Sequence, residues 1–96
     1  MKILLFEPNE PPVVREIKNS LKPMQKIVGG YIETVYIGDD VVLVCNEEGK
    51  LRNLPPNRIM QNDWICGTFF MASVKGAKFK SLDDRQLASL LKVYGR

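Results

Sequence analysis

The segment Val41-Val42-Leu43-Val44-Cys45 is apolar at every position. In a strand, successive side chains point to opposite faces, so a run like this must be covered on both sides. A second run, residues 64–71 of a strand expected over 64–74, is also largely apolar on both faces: Trp64, Cys66, Thr68 and Phe70, continued by Ala72 and Val74, on one side, and Ile65, Gly67, Phe69 and Met71 on the other. The fold must bury both faces of a sheet centred on these two segments.

The remaining elements follow from local pattern. Residues 2–6 form a short apolar run and read as an inner strand, and residues 13–17 return beside it, more exposed at Arg15 and Glu16. Between them, Glu7-Pro8-Asn9-Glu10-Pro11-Pro12 is a turn. Asn19-Ser20 offers an N-cap, Pro23 falls in the first helical turn, and Leu21, Met24, Ile27 and Val28 share one helical face. Gly29-Gly30 ends this helix, and residues 31–37 alternate as a strand. Gly38-Asp39-Asp40 then turns the chain into residues 41–45.

Asn46-Glu47-Glu48-Gly49 makes the next turn, with a positive φ expected at Gly49. Residues 50–54 are expected as a short strand stopped by Pro55-Pro56, residues 57–63 as a connector, and residues 64–74 as the longest strand. Ser81 is the expected cap of a last helix. In it Asp83 and Asp84 suit the positive end, and Leu87, Leu90, Leu91 and Tyr94 recur at helical spacing. The expectation is an α+β single domain over residues 1–96: a mostly antiparallel, strongly twisted sheet of about five strands, with helices over about residues 19–28 and 81–94.

Five strands make a sheet about 20 Å wide, and two helices about 10 Å across cover one face of it. The second face then needs another cover. Either the sheet curls into a half-barrel or a second chain lies on it, a homodimer being the commonest form.

Composition removes several kinds of chemistry. The chain of 96 residues has no histidine, so the commonest general base is absent and Ser-His or Cys-His nucleophiles cannot be built. Gly29-Gly30 lacks the frame of a phosphate-binding loop. Cys45 and Cys66 each lie in apolar runs and read as reduced core residues, and a zinc site would need two more ligands. Neither an enzyme nor a cofactor is expected. The net charge of +3 is modest and suits solubility, or a weak anion-binding surface. Nucleic-acid binding has little support. Tyr31, Tyr36, Trp64, Phe69 and Phe70 could stack on bases, but strand aromatics more often pack in a core. No apolar run approaches the ~18 residues that cross a bilayer. The start is like a signal peptide only until Glu7, Pro8 and Glu10, so a cytoplasmic protein without a membrane association is expected.

The stretches IVGGYIETVY, VCNEEGKLRNLPPNR and GTFF, in this order, resemble a family of small proteins of unknown function carried by phages, plasmids and conjugative elements of Gram-positive bacteria. The resemblance runs from MKILLFEP to the last helix. It implies a role in conflict between a mobile element and its host. The expected function is counter-defence by stoichiometric binding: an inhibitor of a host defence protein such as a CRISPR nuclease complex. The alternative is a sponge for a nucleotide second messenger of immunity. The segment from Asn46 to Arg58 carries the most characteristic residues, and two readings of it stand. In one, Asn57 bonds backbone around the Pro-Pro turn and Arg58 pairs with Glu47 or Glu48. In the other, Asn46, Glu47, Lys50, Arg52, Asn57 and Arg58, with Tyr31 and Tyr36, rim a pocket that meets an anion.

Overall fold

A computed structural model describes residues 1–95. The elements are β1 (Lys2–Phe6), β2 (Val13–Glu16), α1 (Leu21–Val28), β3 (Ile32–Gly38), β4 (Val41–Asn46), β5 (Pro56–Met60), β6 (Asp63–Cys66), β7 (Phe69–Lys75), β8 (Lys78–Lys80) and α2 (Asp84–Tyr94). Six strands form one sheet in the order β2-β1-β7-β4-β3, with β8 paired to the end of β7, and β5 and β6 form a separate hairpin. Every pairing is antiparallel. The α+β class and the antiparallel sheet are as the sequence implies.

The first apolar run, and the second only from Phe69 onward, form the middle of this sheet. All six residues of β4 are buried, and so are the first five of β7. The two strands pair from Val41 opposite Ser73 to Val44 opposite Phe70. Leu4, Phe6, Leu43, Phe69 and Met71 face one side, where Leu82, Leu87 and Leu90 from the α2 region and Met60 from β5 cover them. Ile3, Val42, Val44, Phe70 and Ala72 face the other, beneath Met24 and Val28 of α1.

The cover of the second face corrects an expectation. The two helices do not share a face. Helix α1 lies on one, and α2 with the β5–β6 hairpin lies on the other. Neither a half-barrel nor a second chain is needed to bury β4 and β7.

Local expectations meet the structure unevenly. Gly29 ends α1 in the left-handed region at φ 81°, with its N–H and that of Gly30 both bonded to the Gln25 carbonyl. Asp39 and Asp40 take the two positive-φ positions of the β3–β4 turn. Residues 50–54 are not a strand. They coil into successive turns, with Arg52 N–H bonded to Glu48 O and Leu54 N–H to Gly49 O. Pro55-Pro56 does not stop a strand but opens one, because Pro56 stands at the start of an edge strand where no ladder donor is required. The expected connector is the β5–β6 hairpin.

The long strand over residues 64–74 is two strands, broken at Gly67, whose φ of 86° no extended chain adopts. β8 has no counterpart among the elements expected from the sequence. Its three residues offer too little periodicity to read. Helix α2 begins at Asp84, not Ser81. Asp83 caps it in a reciprocal box with Gln86, and the Ser81 hydroxyl accepts from Lys2 N–H. Leu21, counted on the apolar face of α1, is exposed.

Phe70 has no solvent exposure and packs at the centre of the α1 face. Its replacement by alanine is expected to remove about 3–5 kcal/mol of stability, read as a lower urea midpoint with unchanged slope.

Candidate binding surface

The eight candidate residues do not form one site. Three anchor the fold. Asn46 is buried on the α1 side of β4. Its amide donates to Val28 O (3.0 Å) at the end of α1, and its Oδ1 accepts from Glu48 N–H (2.7 Å), which starts the coil of turns. Asn57, on β5, donates from Nδ2 to two carbonyls, Phe6 O (3.0 Å) and Gly67 O (2.9 Å). One amide thus ties the hairpin both to the main sheet and to the break before β7. Arg52 reaches back to Gly29 O (2.8 Å), a carbonyl at the C-terminal end of α1 that favours a cation.

The glycines of the motifs fit this framework. A Cβ on Gly30 would lie 2.9 Å from the Asn46 amide nitrogen and 3.1 Å from an Arg52 guanidinium nitrogen. Gly49 is not at positive φ, contrary to expectation. It is glycine because a Cβ would come within 2.7 Å of Cys66 O. Gly67 needs its φ and the space as well, since Leu54 Cδ1 would sit 2.9 Å from a Cβ, and its N–H bonds Pro55 O (2.7 Å). GGY, NEEGKLRNLPPNR and GTFF therefore meet in space. They clamp α1, the coil of turns and the hairpin onto the end of the sheet.

The rest of the candidates are dispersed. Arg58 lies with its guanidinium carbon 5.1 Å from the centre of the Phe6 ring, beside a notch lined by Asn9, Glu10 and Asn57. Glu47 and Glu48 line two other hollows, so the expected common rim does not form. Lys50 pairs with Asp63 at the base of β6, raising the Lys50 pKa and lowering that of Asp63 through their hydrogen bond. Tyr31, 70% exposed, joins Arg52, Lys26 and Glu48 around a groove of about 460 Å³ at the end of α1. Tyr36 stands apart near the other end of β3, its hydroxyl accepting from Asp40 N–H.

Three residues that sequence reading placed elsewhere are exposed together. Ile59 and Trp64 are directly opposite in the β5–β6 register, and they are 60% and 48% exposed. Leu51, 84% exposed, lines a cavity of about 370 Å³ with Trp64, Lys50 and Glu33. The sequence pattern over residues 64–74 puts Trp64 in a core strand, whereas it lies on the exposed side of the hairpin. The signal that could have moved it is Gln61-Asn62-Asp63, a polar turn with both Gln61 and Asn62 at positive φ. Cys45 and Cys66 are free thiols on the same cavity. Burial, and then the Glu33 carboxylate, push the Cys45 thiol up to about 11, which keeps it protonated and unreactive at neutral pH. Among the described residues no cluster of three His, Cys, Asp or Glu side chains could hold a metal, and no helix is long and apolar enough to cross a membrane.

These features define a small α+β domain with a hairpin clamped over one face of its sheet and an apolar patch on the hairpin's outer side. The chain belongs to the family described as a domain of unknown function, DUF3846, whose model matches residues 1–95. No curated protein and no solved structure matches it.

Replacing Asn57 by alanine leaves two carbonyls without this donor. The expected loss is about 2 kcal/mol. In a domain of this size that corresponds to a melting point lower by roughly 10 °C, measured by calorimetry.

Proposed function

We propose that the protein acts by stoichiometric binding of another protein through the outer face of the β5–β6 hairpin. The observation that carries this reading is the exposed Ile59–Trp64 pair on a hairpin whose other face is anchored. A tryptophan held on a rigid scaffold beside a second apolar side chain is the kind of residue that dominates protein interfaces. Leu51 extends the patch, and the Lys50–Asp63 pair supplies a polar rim.

The motif resemblance supplies the partner's class. It supports a mobile-element protein directed at host immunity, with a defence protein such as a CRISPR nuclease complex as target. The absence of histidine supports a non-catalytic mode. The test is titration into a reconstituted nuclease reaction. Inhibition saturating at a fixed molar ratio is expected, and Trp64→Ala is expected to weaken it about 30-fold or more, as loss of an interface anchor of about 2 kcal/mol. Full nuclease activity in excess protein argues against this target.

A second reading rests on the groove at the end of α1. There Tyr31 offers an aromatic face and Lys26 and Arg52 offer positive charge, which suits a nucleotide. A sponge of this kind gives a large thermal shift. Ligand at a hundred times its dissociation constant adds about 2.7 kcal/mol, or roughly 10–20 °C here. A screen of cyclic and linear nucleotides that leaves the melting point unchanged removes this reading. A shift that survives Tyr31→Ala moves the site elsewhere.

A further inference from the structure

A sheet edge carries unpaired N–H and C=O groups that pair with any strand brought alongside, and proteins guard such edges with short strands, charges and prolines. Two edges of this sheet are guarded. β2 has four residues, follows Pro11-Pro12, and carries Arg15 and Glu16, the latter paired with the N-terminal amino group. β8 has three residues, two of them lysines. β3 differs from both. It ends the sheet at the far side, runs seven residues, contains no proline, and has Glu33 as its one charge.

Which of its groups face outward follows from the ladder. Glu47 N–H bonds Tyr31 O, and the register sets Glu33 opposite Cys45 and Val35 opposite Leu43. Bonds to β4 alternate along an antiparallel pair, so Tyr31, Glu33 and Val35 bond inward. Ile32, Thr34 and Tyr36 therefore present their N–H and C=O groups to the open side. The Gln61 amide confirms the direction at one end, reaching Tyr36 O at 3.4 Å from the hairpin turn.

We propose that β3 pairs antiparallel with β3 of a second copy of this chain, with Thr34 on the two-fold axis, making one continuous sheet across a homodimer. Self-pairing of an antiparallel strand must keep each face on its own side, so a residue lies on the axis. With Thr34 there, the bonding pairs are Thr34 with its own copy and Ile32 with Tyr36, twice. These are Thr–Thr and aromatic–β-branched neighbours, the combinations that stabilise cross-strand contacts. The half-buried Ile32 and the 59% exposed Tyr36 lie on the α1 face, and the pairing covers both. On the other face Glu33 comes opposite Val35, so the one charge does not meet its like. Glu33 on the axis would set two carboxylates against each other. Gln61 falls at the outer ends of the paired segment and leaves Tyr36 O a free lone pair. This dimer uses a sheet edge, not the covered sheet faces, and stands independently of the hairpin patch.

The test compares the wild-type protein with Thr34→Pro and Thr34→Lys. Proline removes one outward N–H and leaves the β3–β4 bonds, which run through Glu33 and Val35. Lysine sets two like charges opposite each other at the axis. Light scattering is expected to give twice the 10.9 kDa chain mass for the wild type and the single mass for both variants, with circular dichroism unchanged. The Thr34 amide is expected to exchange slowly in the wild type, and faster on dilution. If proline unfolds the chain, the lysine variant decides. A wild type that stays monomeric at millimolar concentration overturns the proposal and leaves the edge to a strand from another protein. A dimer that survives both substitutions with Thr34 exchanging freely overturns it as well.

Discussion

The pairing of β4 with β7 is the constraint on which the rest of the structure depends. Both strands are apolar on both faces, so the sheet cannot leave either side to solvent. The chain answers with three separate covers. Helix α1 brings Met24 and Val28 to one face. Helix α2 brings Leu87 and Leu90 to the other, and the β5–β6 hairpin completes that face with Met60 and Ile65. A domain of this size has little surplus apolar surface, so each cover is needed.

The hairpin is the least self-sufficient of the three. A two-stranded ribbon is marginal alone in water and must be held by something else. That explains why the most characteristic polar residues of the chain lie around it. Asn57 fastens β5 to the carbonyls of Phe6 and Gly67. Asn46 and Arg52 fasten the preceding turns to the end of α1. The bare backbones of Gly30, Gly49 and Gly67 admit those close approaches. The segment from Asn46 to Arg58 is first a clamp. On the hairpin it secures, Trp64 and Ile59 are left exposed, and the proposed binding function rests on them.

Polar residues thus divide by direction. Asn46, Asn57 and Gln86 point inward and donate to backbone carbonyls of other elements. Lys50, Tyr31 and Tyr36 point outward, in three different places. A motif made of Asn, Arg and Gly looks like a binding signature because the same side chains serve both ends. Only their surroundings separate a carbonyl clamp from a ligand contact.

Much of the fold was legible in the residues. Period-two and all-apolar runs report burial directly, so β1, β3 and β4 stood out. Helical spacing marked α2, and glycine at a left-handed position marked the end of α1. The break at Gly67 was hidden, because a glycine inside an apolar run leaves the pattern of its neighbours intact. Residues 50–54 read as a strand for a different reason: they stand between a turn at residues 46–49 and the Pro-Pro pair, where a return strand is expected, while the bonds that coil them run through Asn46 and Gly49. The sequence by itself determined that two strands must be buried on both faces and that the usual histidine chemistry is absent. Those are properties of composition and period. Only the tertiary structure decided which element covers which face, that Asn57 and Asn46 are anchors, and that Trp64 is outside, because each depends on contacts between segments far apart in the chain.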